Sequence, residues 1–207
     1  MPRTYTVKEI FYTLQGEGAQ SGTPAVFVRF AGCNLWSGRE EDRVEAVCQF
    51  CDTDFVGVGP DGGRFDAVGL AGAARAAGPA ELVVCTGGEP LLQLDGEAIE
   101  ALHAEGFRVA VETNGTVLAP EGIDWICVSP KAGAEWVQRS GNELKLVFPQ
   151  AELMPDCLPT GLAFEHYFLQ PMDGPCLRVN MEAAIEYCLA NPKWRLSVQT
   201  HKIVGLR

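Results

Sequence analysis

Residues 32–53, GCNLWSGREEDRVEAVCQFCDT, carry three cysteines, Cys33, Cys48 and Cys51, the last two as a C-x-x-C pair. Fourteen residues separate Cys33 from Cys48, and six of them are charged (Arg39, Glu40, Glu41, Asp42, Arg43, Glu45), so the interval is expected on the surface as an insertion. Three thiolates on one connection suit a 4Fe-4S cluster that keeps one iron free of protein ligands, because electron-transfer clusters take four cysteines. A structural zinc site is the plainer alternative, but it needs a fourth Cys or His from far along the chain. EEDRVEAV has helix-forming residues, yet so short a helix holds only if it packs.

Outward from this stretch, the 207-residue chain has no Pro/Ser/Gly linker, so one domain over residues 1–207 is expected, with 34–47 as an insertion in the cluster loop. A hydrophobic fraction of 47% and a charged fraction of 21% are those of a soluble globular protein. No apolar run reaches the ~20 residues that cross a bilayer, and MPRTYTVKEIF lacks the apolar segment of a signal peptide. A cytoplasmic protein with no membrane partner is expected. In a reducing compartment its eight cysteines read as ligands or small buried hydrophobes rather than disulfides. Cys85, Cys127 and Cys188 sit in apolar patterns and are expected in the core, while Cys157 and Cys176 carry no assignment. A net charge of -11 argues against nucleic acid as a partner, since that affinity rests on Lys and Arg.

Along the chain, residues 4–14 read as a strand running into Gln15-Gly16-Glu17-Gly18, whose glycines permit a close backbone approach. AVFVRFAG reads as a buried parallel strand, and its lone Arg29 must meet a carboxylate or an anionic ligand. DAVGLAGAARAAG is a helix opened by Asp66 and stopped at Gly78-Pro79. ELVVC is a short buried strand that ends in Thr86-Gly87-Gly88-Glu89-Pro90, where glycines expose backbone and Glu89 supplies a carboxylate suited to an ammonium. Leu94, Ala98 and Leu102 mark a helix, and FRVAVE then runs into Glu112-Thr113-Asn114-Gly115-Thr116. WICVS, ELKLVF and HYFLQ are further strands, Met181 to Leu189 a helix face, and RLSVQ a last strand before THKIVGLR. Polar clusters after strand upon strand are the pattern of a parallel α/β sheet or partial barrel, with its ligand site at the strands' C-terminal ends. No G-x-G-x-x-G follows the first strand, which disfavours a dinucleotide fold.

With the three-cysteine loop after one buried strand and GGEP after the next, the chain resembles the radical S-adenosylmethionine (SAM) enzymes. The first cysteine gap departs from the C-x3-C-x2-C usual there by eleven residues. LQGEG, AGCN, CDT, TGGEP, ETNGT, SPK, LQPMDG and QTHK nevertheless occur in the order seen in the 7-carboxy-7-deazaguanine synthase family, nearly end to end, and some of its members have an enlarged cluster loop. The resemblance implies an abbreviated β/α barrel, a homodimer, and conversion of 6-carboxy-5,6,7,8-tetrahydropterin to 7-carboxy-7-deazaguanine with loss of ammonia in queuosine biosynthesis. It further implies that SAM is cleaved to a 5'-deoxyadenosyl radical that takes hydrogen from C6 of the pterin, with Mg2+ required and flavodoxin or ferredoxin as reductant.

Residue by residue, it implies that Cys33, Cys48 and Cys51 ligate the cluster and that Thr53 ligates Mg2+, a loop cap being the alternative for Thr53. Gly88, Ser129, Pro130, Lys131, Gln170, Pro171, Met172 and Asp173 should line the SAM pocket, with Glu89 on the SAM amine. Leu14, Gln15, Gly16, Arg29 and Thr86 should meet the pterin, together with the terminal carboxylate of Arg207. Glu112 and His201 are the candidate catalytic groups, with structural hydrogen bonds as the alternative for each. Two rival functions remain: an activase that puts a glycyl radical on another protein, and a non-catalytic zinc-binding protein.

Overall fold

The structure is a computed structural model that describes residues 3–206. Its strands are β1 (Tyr5–Leu14), β2 (Pro24–Phe30), β3 (Gly63–Phe65), β4 (Leu82–Gly87), β5 (Arg108–Thr113), β6 (Trp125–Val128), β7 (Ser140–Phe148), β8 (Ala163–Pro171) and β9 (Trp194–Leu196). They form one open sheet in the order β3-β1-β2-β4-β5-β6-β7-β8-β9. From β2 to β9 every pairing is parallel, whereas β1 runs antiparallel to both β2 and β3. This is the expected α/β partial barrel, with an antiparallel edge that the apolar run of β2 does not reveal.

The helices are α1 (Ala67–Ala77), α2 (Gly96–Ala104), α3 (Leu177–Ala190) and α4 (Thr200–Val204). Asp66 caps α1 by accepting from the Gly69 amide, and Asp95 caps α2 by accepting from that of Ala98, each satisfying an otherwise orphan donor. Strand side chains alternate between faces. Val26, Val28, Val83, Cys85, Val109 and Val111 therefore pack with Leu70, Ala74, Ile99 and Leu102 of α1 and α2 on one face. Leu144, Leu146, Tyr167 and Leu169 continue that layer with Ala184 of α3 and Trp194. The opposite face is filled at its lower end by a small cluster of Ala25, Leu82, Val84 and Ala110 with Phe27 and Trp125. Its upper end is left for polar side chains.

Two core assignments need correcting. Cys85 and Cys127 are buried as expected, but Cys188 is only half-buried. The apolar stripe of α3 is likewise incomplete: Ala184 alone is buried on that helix, and Leu189 is 80% exposed. Among the described residues no helix is long and apolar enough to cross a membrane.

Candidate active site

Strand alternation decides which side chains meet. Arg29 of β2 pairs in register with Thr86 of β4, and in the neighbouring parallel ladder Cys85 of β4 pairs with Val111 of β5, which brings Thr86 level with Glu112. On the far side Lys145 pairs with Phe168, and Val147 with Gln170. Arg29, Thr86 and Glu112 share the parity of the small inner cluster, and Lys145 and Gln170 alternate with Leu144, Leu146 and Leu169 of the helix-packed layer, so all five project from the face opposite the packed helices. All five line one cavity of about 370 Å³, a size typical of small-molecule sites.

The cysteine loop closes one side of this cavity, which Cys33, Cys48, Cys51 and Thr53 all line. Gly87 and Gly88 are what allow that closure. A Cβ on Gly87, where φ is +141°, would fall 2.2 Å from the Phe30 carbonyl oxygen. One on Gly88 would fall 2.1 Å from the Gly32 oxygen and 2.8 Å from Cys33 Cβ. The end of β4 is thus pressed against the first cysteine, and the Glu89 amide donates to the Gly32 oxygen (2.9 Å). Asn34 extends the contact to the end of β5, accepting from Asn114 Nδ2 (3.0 Å) and donating to Thr116 Oγ1 (2.8 Å).

The donor set fits a cluster with one open iron. Three thiols line this wall, while the loop's two carboxylates there, Asp52 and Asp54, are engaged by Lys202 and Lys8, and among the described residues no three Cys, His, Asp or Glu groups are drawn together as for a single ion. The Cys48 thiol donates to Cys51, which pushes Cys51 below an ordinary thiol and Cys48 above it. A thiolate, the ligating form, is therefore favoured at Cys51. Lys131 lines the same wall, donating to the Ser129 carbonyl and, at 2.9 Å, to Ser129 Oγ. Desolvation pulls it below an ordinary ammonium.

The opposite wall is a buried ionic network. Lys145 Nζ donates to Glu17 (2.5 Å) and to Glu112 (3.1 Å), and Gln15 donates to the other Glu112 oxygen (2.8 Å). Burial raises the pKa of Glu17, but the adjacent Lys145 ammonium outweighs it and holds Glu17 down at about 2. Burial likewise opposes charge on Lys145, and the surrounding carboxylates keep it protonated. Arg29 Nε donates to Glu9 (2.8 Å), so its structural ion pair exists while the guanidinium still lines the cavity. A guanidinium carries five donors, more than that pair uses.

Helix α4 borders the cavity through His201 and Lys202. Its Thr200 amide donates to the Gly16 oxygen (2.9 Å), and a Cβ on Gly16 would fall 2.2 Å from His201 Nδ1. Lys202 bridges Asp52, between Cys51 and Thr53, to Asp173 (2.5 Å each). One short helix thereby ties the cysteine loop to the end of β8.

Of the residues singled out in the sequence, Leu14, Gln15, Gly16, Gly88, Ser129, Pro171, Met172, Asp173 and His201 also line the cavity. Glu89 does not, and this corrects the expectation of a carboxylate facing an ammonium. It is fully buried, accepting from Leu91 N (2.9 Å), Thr113 Oγ1 (2.8 Å) and Asn114 N (2.7 Å), so it braces the ends of β4 and β5 from below. Pro130 is buried beneath the wall rather than in it, its carbonyl accepting from Gln150. Arg207 lies outside the described residues. Sequence reasoning passed over Lys145, Glu17, Gln199 and Lys202, all cavity residues. Lys145 carried a usable signal, since a lone cation in the apolar strand ELKLVF is the same anomaly that marked Arg29.

The Radical SAM superfamily model matches residues 45–142. The chain is 65% identical to the 7-carboxy-7-deazaguanine synthase of Caulobacter vibrioides, covering 98% of this chain and 99% of that protein. It is 58% identical to the synthase of Burkholderia multivorans, covering 98% and 99%. The crystal structure of QueE from Escherichia coli superposes with a TM-score of 0.73 at 28% identity, over 96% of this chain and 95% of that one. Neither the activase nor the zinc-protein reading gains support from these relatives. With near-complete coverage at such identity, and three thiols set against a glycine strand end in an open parallel sheet, the chain belongs to the 7-carboxy-7-deazaguanine synthase family of radical SAM enzymes.

Proposed function

We propose that this chain converts 6-carboxy-5,6,7,8-tetrahydropterin to 7-carboxy-7-deazaguanine with loss of ammonia, the carbon–nitrogen lyase step of 7-deazapurine (queuosine) biosynthesis. The observation that carries it is one cavity walled by three thiols on one side and by paired carboxylates, Lys145 and Arg29 on the other. When bound, the 4Fe-4S cluster and SAM supply the hydrogen-abstracting radical. Anaerobic turnover of the iron- and sulfide-reconstituted protein with SAM, Mg2+, dithionite and the pterin is expected to release the deazapurine by mass spectrometry. Formation of 5'-deoxyadenosine without that product would sink the substrate assignment.

Cys33, Cys48 and Cys51 would hold the cluster, and Gly88, whose missing Cβ lets the end of β4 pack directly against Gly32 and Cys33, would present its backbone to SAM beside them. Ser129, Lys131, Gln170, Pro171, Met172 and Asp173 form the rest of the SAM wall, with Pro130 and Glu89 beneath holding the strand ends. Thr53 presents a hydroxyl for Mg2+, a hard ion that keeps much of its water. Arg29 orients the pterin carboxylate by charge-assisted hydrogen bonds, while Leu14, Gln15, Gly16 and Thr86 fix the ring. Glu112 and His201 both face the substrate, with Lys145 donating to one Glu112 oxygen and Gln15 to the other. A single domain, a homodimer, a cytoplasmic location, and flavodoxin or ferredoxin as reductant complete the proposal, supported by the soluble composition and the likeness to bacterial synthases.

A further inference from the structure

The fourteen residues between Cys33 and Cys48 replace what is usually a tight turn, yet they contain only one short 3-10 helix, at Glu40–Glu45. Six residues of that geometry do not hold themselves together. What holds them is concentrated on one side chain. Arg43 lies with its guanidinium 4.0 Å from the Trp36 ring centroid. It forms a bidentate pair with Glu40 (2.7 and 2.6 Å), and its Nη1 donates to the carbonyls of Gln49 (2.9 Å) and Cys51 (3.0 Å).

Those partners lie on both sides of the break. Trp36 follows Cys33 by three residues, is buried, donates to the Arg39 carbonyl (3.0 Å), and packs edge-on against Phe55 at 5.7 Å. Gln49 and Cys51 belong to the C-x-x-C pair, whose approach is completed by the Val47 amide donating to the Leu35 carbonyl (3.1 Å). We propose that Arg43 is a positioning residue that joins the two halves of the cysteine loop, holding Cys48 and Cys51 opposite Cys33 before any cofactor arrives. The inference rests on the reading of these cysteines as cluster ligands. Only a planar fork that both stacks and donates in two directions can make these contacts, so lysine is not an equivalent.

The test uses the full chain, handled anaerobically, as wild type, Arg43→Lys and Arg43→Met. In the apo-protein, alkylation of Cys48 and Cys51 by iodoacetamide is expected to speed about tenfold in Arg43→Met, the ratio that one lost charge-assisted hydrogen bond represents. The thermal midpoint of the apo fold should not move. After reconstitution, iron release to a chelator should speed by a similar factor, with Arg43→Lys falling between the other two forms. Wild-type rates of both alkylation and iron release in both variants would overturn the proposal. So would a collapsed thermal midpoint, which would make Arg43 a general fold element. If the wild type itself takes up no iron–sulfur cluster, the ligand reading fails, and the alkylation rates still decide whether Arg43 orders the loop.

Discussion

Lys145 shows why a charged group can sit deep in this sheet. Its side chain is 3% exposed, and its two carboxylate partners, Glu17 and Glu112, are themselves mostly enclosed. Removing one member of such a group strands the others as uncompensated charge, so Lys145→Met is expected to cost about 3–5 kcal/mol in urea unfolding at pH 7. The pH dependence follows from Glu17. Its pKa in the fold is depressed to about 2 from an ordinary 4.5, so the stability it contributes is present above the ordinary carboxylate range and is lost as pH falls toward 2. The penalty of Lys145→Met should therefore shrink when unfolding is repeated below pH 4.5, where the stranded carboxylates can take protons. An equal penalty at both pH values would mean that Lys145 acts by packing its stem and not by its charge. Glu89 makes a different demand, because three donors converge on its two oxygens. Glu89→Gln must turn an amide NH2 toward at least one of them, at an expected cost of about 1–3 kcal/mol. A thermal melt indistinguishable from wild type would show that the strand ends do not depend on this brace.

Helix α4 is the element whose importance least resembles its length. Five residues cannot be stable alone, and this one is held by the Gly16 carbonyl and by the two ion pairs of Lys202. A methyl group at residue 16 would occupy the place of His201 Nδ1, so Gly16→Ala is expected to displace α4 and raise KM for the pterin several-fold while leaving the thermal midpoint almost unchanged. An unaltered KM would separate His201 from the substrate site. The sequence pattern THKIVGLR gives no sign of this helix, because its order comes from partners at residues 16, 52 and 173 rather than from an apolar stripe. The strands and the longer helices were legible for the opposite reason. Asp66 before an Ala-rich run, Leu94, Ala98 and Leu102 at helical spacing, and short apolar runs ending in polar clusters all carry their structure locally. Glu89 was misread because its neighbours suggested a ligand, whereas burial beneath β4 and β5 is a tertiary fact that no local pattern states. Arg29 and Lys145 were equally anomalous in their strands, and only the register of the sheet shows that both face one cavity.

At the scale of the molecule, the fold and the cysteine loop are held by different forces. The large apolar clusters lie between the sheet and helices α1, α2 and α3, and none of the three loop cysteines belongs to either. The loop is tied to the sheet instead through the glycine contact of Gly88 and the asparagine pair Asn34 and Asn114, while Arg43 pins the loop to itself. Removing iron and sulfide should therefore leave the sheet intact. The far-UV circular dichroism of apo and reconstituted protein is expected to superpose, unlike a structural zinc domain, in which binding energy is folding energy and chelation unfolds the chain. Reconstitution should raise the thermal midpoint only by linkage, since a ligand that binds the native state alone stabilises it by mass action. Hydrogen exchange locates the difference: amides of β2, β4 and β5 should stay protected without the cluster, slowed on reconstitution only by the linkage gain, and new protection should appear across residues 33–56. Global loss of protection on iron removal would mean that the cysteines hold the whole fold, and the separation of scaffold from cofactor loop argued from the packing would be wrong.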